Sequence, residues 1–327
     1  MAVIRWGVLG LGRIAHKFVQ DLQTVPDVEL LAVASTSQER ADAFAAQYGA
    51  KHAYGSYEDL LTCEGLDVVY IATTHNHHFE NTMLCLNAGI AVLCEKPFAM
   101  NAGQVRQMVE TARSKQVFLM EALWSRFMPS VQKARELAEN QAIGRVKGLR
   151  ADFGFIAPVV PEKRMYNKAL GGGSLMDIGI YPLFLSYAFL GMPQTIKATA
   201  VFGSTGVDEQ CGMVLTYADN QLAVLNSTVV SKTETDAVLY GETGNLYLPG
   251  RFHEGDSVVH QPTDGEPQTF TFARTTWGYD YEAEHVSDCL RQKKTESPLW
   301  SLDDSLNLIG LLDAVRAEAG IVYEEDN

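Results

Sequence analysis

The sequence predicts a doubly wound parallel α/β domain over residues 1–123, followed over residues 124–327 by an α+β domain with a large, mostly antiparallel open sheet. Three observations carry this prediction. Up to residue 123, short uninterrupted apolar runs alternate with helical periods. Beyond it, strand-like segments succeed one another across short turns. A chain of 327 residues also exceeds the single core that about 150 residues build.

In the first half the apolar runs fall at 4–9, 28–34, 67–72, 91–94 and 117–120. They are continuous rather than alternating, as strands buried on both faces require. Between them, Ile14, Phe18 and Leu22 recur at spacings of four and share one helical face. Further helices are predicted over 39–48, 78–87 and 101–115, with Gly49 and Gly89 closing two of them. A helix over 130–140 leads into the second half. There, strands are predicted at 146–156, 195–202, 210–217, 222–230 and 237–248, and helices at 175–190, 281–291 and 302–319.

Hydrophobic residues at 46% and charged residues at 20% give a globular chain. The 26 Lys and Arg against 40 Asp and Glu leave a formal charge of -14, which repels nucleic-acid phosphates and anionic lipid. No apolar run approaches the roughly 18 residues that cross a bilayer, and the N-terminus enters strand-like sequence directly. The expectation is a cytoplasmic protein with no nucleic-acid or membrane partner. Cys63, Cys85, Cys94, Cys211 and Cys289 are scattered, lack a C-x-x-C pair, and read as buried thiols.

Gly10-Leu11-Gly12-Arg13-Ile14-Ala15 follows the first strand and opens the first helix. A glycine turn between any strand and helix could look alike in isolation. In this setting Gly10 suits the tight turn, Gly12 the approach of a pyrophosphate, and Ala15 close helix packing, which marks a Rossmann dinucleotide site. An NAD site wants a carboxylate at the end of the second strand, but Ser35, Thr36 and Ser37 stand there, with Arg40 one turn on. Hydroxyls and a guanidinium suit a 2'-phosphate, so NADP is expected over NAD. Ser37 is also placed to cap the next helix.

The fourth apolar run of the sheet ends Leu93-Cys94-Glu95-Lys96-Pro97 and puts Lys96 at the carboxyl edge, where this architecture binds ligands. Farther on, Gly171-Gly172-Gly173-Ser174 reads as a flexible approach to a helix, on which Asp177 and Tyr181, four apart, share a face. Tyr181 could equally fill the core, and Asp177 favour the first turn's dipole. On the strand near 150, Leu149, Ala151, Phe153 and Phe155 share a face, and Phe153 is a candidate to meet substrate.

With these motifs the chain resembles the glucose-fructose oxidoreductase, inositol dehydrogenase and rhizopine catabolism family of NAD(P)-dependent dehydrogenases over essentially its whole length. Met120 to Phe127 and Tyr181 look most like its branch of dihydrodiol and D-xylose dehydrogenases; many relatives carry histidine in place of the tyrosine. The resemblance implies Lys96, Tyr181 and Asp177 as catalytic residues. It implies Thr73, His75, His78, Glu95 and Arg126 on the cofactor, alongside Gly10, Gly12, Arg13, Ile14, Ser35 to Ser37 and Arg40. Trp124 would border substrate, and a homodimer would form through the open face of the second sheet. His75, His77 and His78 lack a fourth ligand, so no metal is expected.

The implied chemistry is oxidation of a carbinol, in a sugar or a trans-dihydrodiol, with hydride passing to nicotinamide. Tyr181 can act as base if Lys96 lowers its pKa, or Lys96 can act as base with Tyr181 as binder. Asp177 would hold the lysine or orient a substrate hydroxyl. Two rivals are a non-catalytic NADP-binding sensor and a methyltransferase with a glycine-rich loop; the latter generally wants the carboxylate that Ser35 to Ser37 lack.

Overall fold

The computed structural model describes residues 2–326. Six parallel strands, β1 (Ile4–Leu9), β2 (Val28–Ala34), β3 (His52–Tyr54), β4 (Val68–Ile71), β5 (Ala91–Glu95) and β6 (Leu119–Ala122), lie in the order 3-2-1-4-5-6. That is the doubly wound order, whose switch point lies between β1 and β4. The crossovers are α1 (Arg13–Leu22), α2 (Gln38–Tyr48), α3 (Tyr57–Leu60), α4 (His78–Asn87) and α5 (Ala102–Lys115). Gly49 closes α2 in the left-handed conformation, as its position suggested. The three-residue β3 and four-residue α3 were not foreseen, being too short to show a period.

The second sheet has eight strands. They are β7 (Val146–Gly154), β8 (Thr195–Phe202), β9 (Asp208–Thr216), β10 (Leu222–Thr228), β11 (Ala237–Gly241), β12 (Gly244–Leu248), β13 (Ser257–Pro262) and β14 (Gln268–Thr271). Two antiparallel meanders, β8 to β10 and β11 to β14, flank β7, which pairs parallel with β10 and antiparallel with β11. The segment 237–248, expected as one strand, is a hairpin. Its glycines show why: a Cβ on Gly241 would lie 2.1 Å from the Ile143 carbonyl, and one on Gly244 would lie 2.6 Å from that of Gln261. The sheet packs against α6 (Pro129–Glu139) and α7 (Ile180–Leu190).

With the turns before it, Lys168–Leu190 is long and apolar enough by composition to cross a bilayer, against the sequence expectation. Most of its apolar stretch is buried within the protein, as the core helix of a globular unit is. All five cysteines are free and buried.

The chain forms two compact units that divide one residue after the expected boundary at 123, but the division is not continuous in sequence. One comprises residues 1–124 with 275–306, and the other 125–274 with 307–327. Helix α8 (Asp280–Arg291) therefore belongs with the parallel sheet, while α9 (Leu302–Ala319) begins in the first unit and continues in the second. The reason is local. Both oxygens of buried Asp21 accept backbone N–H groups of the returning chain, from Trp277 at 3.0 Å and Tyr279 at 2.8 Å. Arg291 donates to the carbonyls of Ala2, Pro26 and Asp27.

Candidate active site

In the first unit, Gly10 has φ +90, and a Cβ there would meet the Ala72 and Thr73 backbone at 2.9 Å, so only glycine closes this turn. At Gly12 the situation is opposite: nothing lies within 4 Å of a Cβ position. Helix α1 starts here with no side-chain cap and no acidic residue in its first turn. Its orphan amides, beside open space, fit a dinucleotide pyrophosphate. Arg13 is exposed and Ile14 half-buried at this end.

At the end of β2, Ser35 is buried, leaving Thr36 and Ser37 with the accessible hydroxyls. Ser37 does cap α2, accepting from Arg40 N at 3.4 Å. The Arg40 guanidinium reaches back to donate to Leu11 O at 3.3 Å. A cation is thus tethered to the glycine loop, at the place where a 2'-phosphate would need one.

The turn after β5 is held by three side chains. Glu95 accepts from Tyr70 Oη at 2.5 Å and from Lys96 N at 3.1 Å. Burial, then the Glu95 charge, pushes the Tyr70 hydroxyl well above its ordinary value, so it stays a donor. Glu121 on β6 accepts from Phe98 N at 3.1 Å and from Trp300 Nε1 at 3.2 Å, and burial pushes its carboxyl up to about 7. The buried His78 ring bridges Pro97 O at 2.8 Å and Thr73 O at 3.2 Å. The Lys96–Pro97 peptide bond is cis.

The resemblance implies His78 and Glu95 on the cofactor side; their contacts in the structure also brace the loops that follow β4 and β5. Thr73 is half-exposed, with its Oγ1 accepting from Asn81 at 3.3 Å, and His75 is buried with its ring 5.7 Å from that of His78. His77 lies exposed, 3.6 Å from Glu80. Trp124 is buried and stacks on Tyr279 at 4.5 Å and 25°. Tyr279 was missed by sequence reasoning, although the aromatic cluster Trp277-Gly278-Tyr279 ahead of α8 was a usable signal.

In the second unit, Tyr181 is buried within a group of rings, its centroid 5.5 Å from Phe153 and 5.2 Å from His253, which stacks on Phe153 at 4.3 Å. His253 was not foreseen, because the short turn 252–254 that carries it has no sequence period. Asp177 sits in a π-helical turn, Leu175–Gly179, that runs into α7. Its Oδ1 is 3.0 Å from the guanidinium of Arg164, a residue the sequence did not single out. Arg126 is buried in the turn that begins this unit.

The glycines before Asp177 are not a flexible approach. Gly172 N donates to Asn167 O at 3.0 Å and Gly173 N to Met165 O at 3.0 Å, and all three glycines are buried. A Cβ on Gly172 would stand 2.2 Å from Arg164 O. The run is a tight knot, and the segment it packs against carries Arg164 to Asp177.

A doubly wound sheet with an open glycine loop, a braced lysine at its carboxyl edge, and a separate α+β unit carrying a buried Asp-Tyr pair define a nicotinamide-dinucleotide oxidoreductase. Residues 4–123 match the oxidoreductase family with an NAD-binding Rossmann fold, and residues 131–247 match the GFO/IDH/MocA C-terminal domain. The chain belongs to this family of oxidoreductases. It is 38% identical over 331 residues to trans-1,2-dihydrobenzene-1,2-diol dehydrogenase of Xenopus tropicalis, covering 98% of this chain and 99% of that protein. The human enzyme of that name is 36% identical over 333 residues, covering 99% of each. Among solved structures, KijD10, a 3-ketoreductase from Actinomadura kijaniata in complex with NADP and TDP-benzene, matches with TM-score 0.87 and 26% identity. The match covers 97% of this chain and 98% of that one. An aldose-aldose oxidoreductase from Caulobacter crescentus shares the fold at TM-score 0.89 and 23% identity, over 97% of this chain and 98% of that one.

Proposed function

We propose that this protein is an NADP-dependent dehydrogenase that oxidises a carbinol of a trans-dihydrodiol or a sugar, with Lys96 and Tyr181 handling the proton. The observation that carries the reading is Lys96 itself, held at the carboxyl edge of the parallel sheet by a turn braced by Glu95, Glu121 and His78. A lysine on an ordinary solvated turn needs no such bracing. Bound nicotinamide supplies the hydride acceptor. The chain's part is to hold the carbinol and take its proton. Asp177 already faces the Arg164 guanidinium, so we assign it to orienting a substrate hydroxyl rather than to holding Lys96.

A panel of pentoses, hexoses and trans-dihydrodiols, followed by NADPH formation, tests this. Turnover on one class is expected. Tight NADP binding with no turnover on any would favour the sensor instead.

The preference for NADP is assigned to Arg40, with Thr36 and Ser37. Loss of one charge-assisted contact costs about 1.5–3 kcal/mol, so Arg40→Gln should raise KM for NADP about 10- to 100-fold. KM for NAD should stay within about twofold. Equal effects on both cofactors, in parallel initial-rate measurements, would refute the assignment.

A homodimer through the open face of the second sheet is part of the proposal. Pairing sets Val214, Val224, Arg150, Val238 and Tyr247 side by side on that face. Val201, Val214, Leu222, Val224 and Tyr240 are 54%, 40%, 43%, 46% and 41% exposed there. So wide an apolar face suits an interface. Val224→Asp should convert a dimer to a monomer in light scattering; a wild-type monomer mass at every concentration would remove the proposal. Free, buried thiols suit a reducing cytoplasm.

A further inference from the structure

We propose that Asp208, at the start of β9, is a positioning residue for Asp177 and Tyr181, and that its carboxylate caps the helical turn that carries them. The inference rests on the reading of Tyr181 as the proton-handling group.

The geometry is specific. The π-turn begins at Leu175, and Ser174, at its N-cap position, makes no side-chain capping bond to it. The cap comes from a residue 33 positions away: Leu175 N donates to Asp208 Oδ2 at 2.7 Å. Ser174 Oγ donates to the same oxygen at 2.8 Å and lies 3.0 Å from Ser227 Oγ. The other oxygen, Oδ1, fills the space where a side chain at Gly173 would stand, 2.1 Å from an ideal Cβ at φ +125. On the neighbouring glycine, Tyr323 Oη donates to Gly172 O at 2.7 Å.

An anion at the first turn of a helix satisfies orphan amides and favours the dipole. Here the anion comes from the sheet, so it fixes the helix start to β9. Four residues separate Asp177 from Tyr181 and two separate Leu175 from Asp177, so a displaced first turn displaces both groups. Errors of about 1 Å in such groups cost on the order of 100-fold in rate.

Protonation would weaken the cap. Burial raises the Asp208 carboxyl to about 6, against the lowering by its bonds from Leu175 and Ser174. The titratable groups facing it are Cys211 on the same strand and Tyr323 from the C-terminal segment. Burial pushes the first to about 12 and the second well above its ordinary value, so both stay neutral. Arg316 stacks on the Tyr323 ring at 4.8 Å and pairs with Asp313 and Asp326. Near pH 6, then, Asp208 changes charge while Cys211 and Tyr323 do not.

The test compares wild type, Asp208→Asn, Ser174→Ala and Tyr181→Phe, with the fastest carbinol of the panel, from pH 5 to 9. NADPH affinity is read by fluorescence titration. Asp208→Asn should keep the NADPH Kd within about twofold, lose about tenfold or more of kcat at pH 8, and lose the fall in kcat near pH 6. Ser174→Ala removes one donor to the carboxylate and should move that fall to higher pH; it decides the matter if Asp208→Asn does not fold. Wild-type kcat and acid limb in Asp208→Asn, or an unmoved limb in Ser174→Ala, would overturn the inference. An active Tyr181→Phe would instead sink the underlying reading, whereas an inert Tyr181→Phe beside a normal Asp208→Asn rejects Asp208 alone.

Discussion

Tyr181→Phe and Lys96→Met enzymes are expected to bind NADP with wild-type affinity and to lose about 10²- to 10⁴-fold of kcat, the range that general acid–base catalysis contributes. A hydride cannot leave a carbinol carbon until the hydroxyl proton is being taken, so removing the proton acceptor strikes the chemical step rather than cofactor binding. Both substitutions keep most of the side-chain volume, which leaves the braced turn after β5 and the ring group around Tyr181 in place. Single-turnover NADPH formation beside equilibrium cofactor titration separates the two effects. Normal turnover by either variant would refute the proposed pair.

The same two variants divide the roles. A tyrosine without a neighbouring cation titrates at about 10. If Lys96 serves to lower the phenol, Lys96→Met should regain rate as the pH climbs toward that value, while Tyr181→Phe should stay flat. If the amine is itself the base, the opposite pattern follows: Tyr181→Phe retains a pH-dependent rate and Lys96→Met does not.

What the sequence revealed follows from how far each feature depends on local pattern. The strands β1 and β2 and the loop Gly10 to Ala15 could be read at once, because burial on both faces and a left-handed turn each force residue types at fixed spacing. Ser37 showed both of its possible jobs, and the structure shows that capping α2 leaves Arg40 free to reach Leu11. Partners remote in sequence were not legible. Arg164 on Asp177, Asp208 on Leu175 and Tyr279 beside Trp124 depend on segments brought together only by the fold. For His78 and Glu95 the resemblance implied a place on the cofactor side but not the carbonyl, hydroxyl and amide partners that brace their loops, which no spacing rule encodes. The return of 275–306 to the first unit was hidden for the same reason, since Asp21 in α1 reads as a surface helix residue until Trp277 and Tyr279 are found on it.

The glycine knot gives the second large effect, on stability. Gly172→Ala would put a methyl group 2.2 Å from Arg164 O, 2.7 Å from Asn167 O and 2.9 Å from Met165 O, all of them backbone atoms that cannot swing aside. The loop must open, and a loss of about 3 kcal/mol or more is expected, as for other overpacked sites. Gly49→Ala is the matched control: it forces alanine into φ +75 but meets nothing within 4 Å, so it should cost only about 1–2 kcal/mol of left-handed strain. Denaturant unfolding of both variants makes the comparison, and equal midpoints would show that the knot tolerates a side chain. Because the segment displaced at position 172 carries Arg164, the variant should also lose the 3.0 Å contact to Asp177. Even where Gly172→Ala remains folded, its KM for the carbinol should therefore rise while its NADP affinity holds, a split that simple loss of folded protein would not produce.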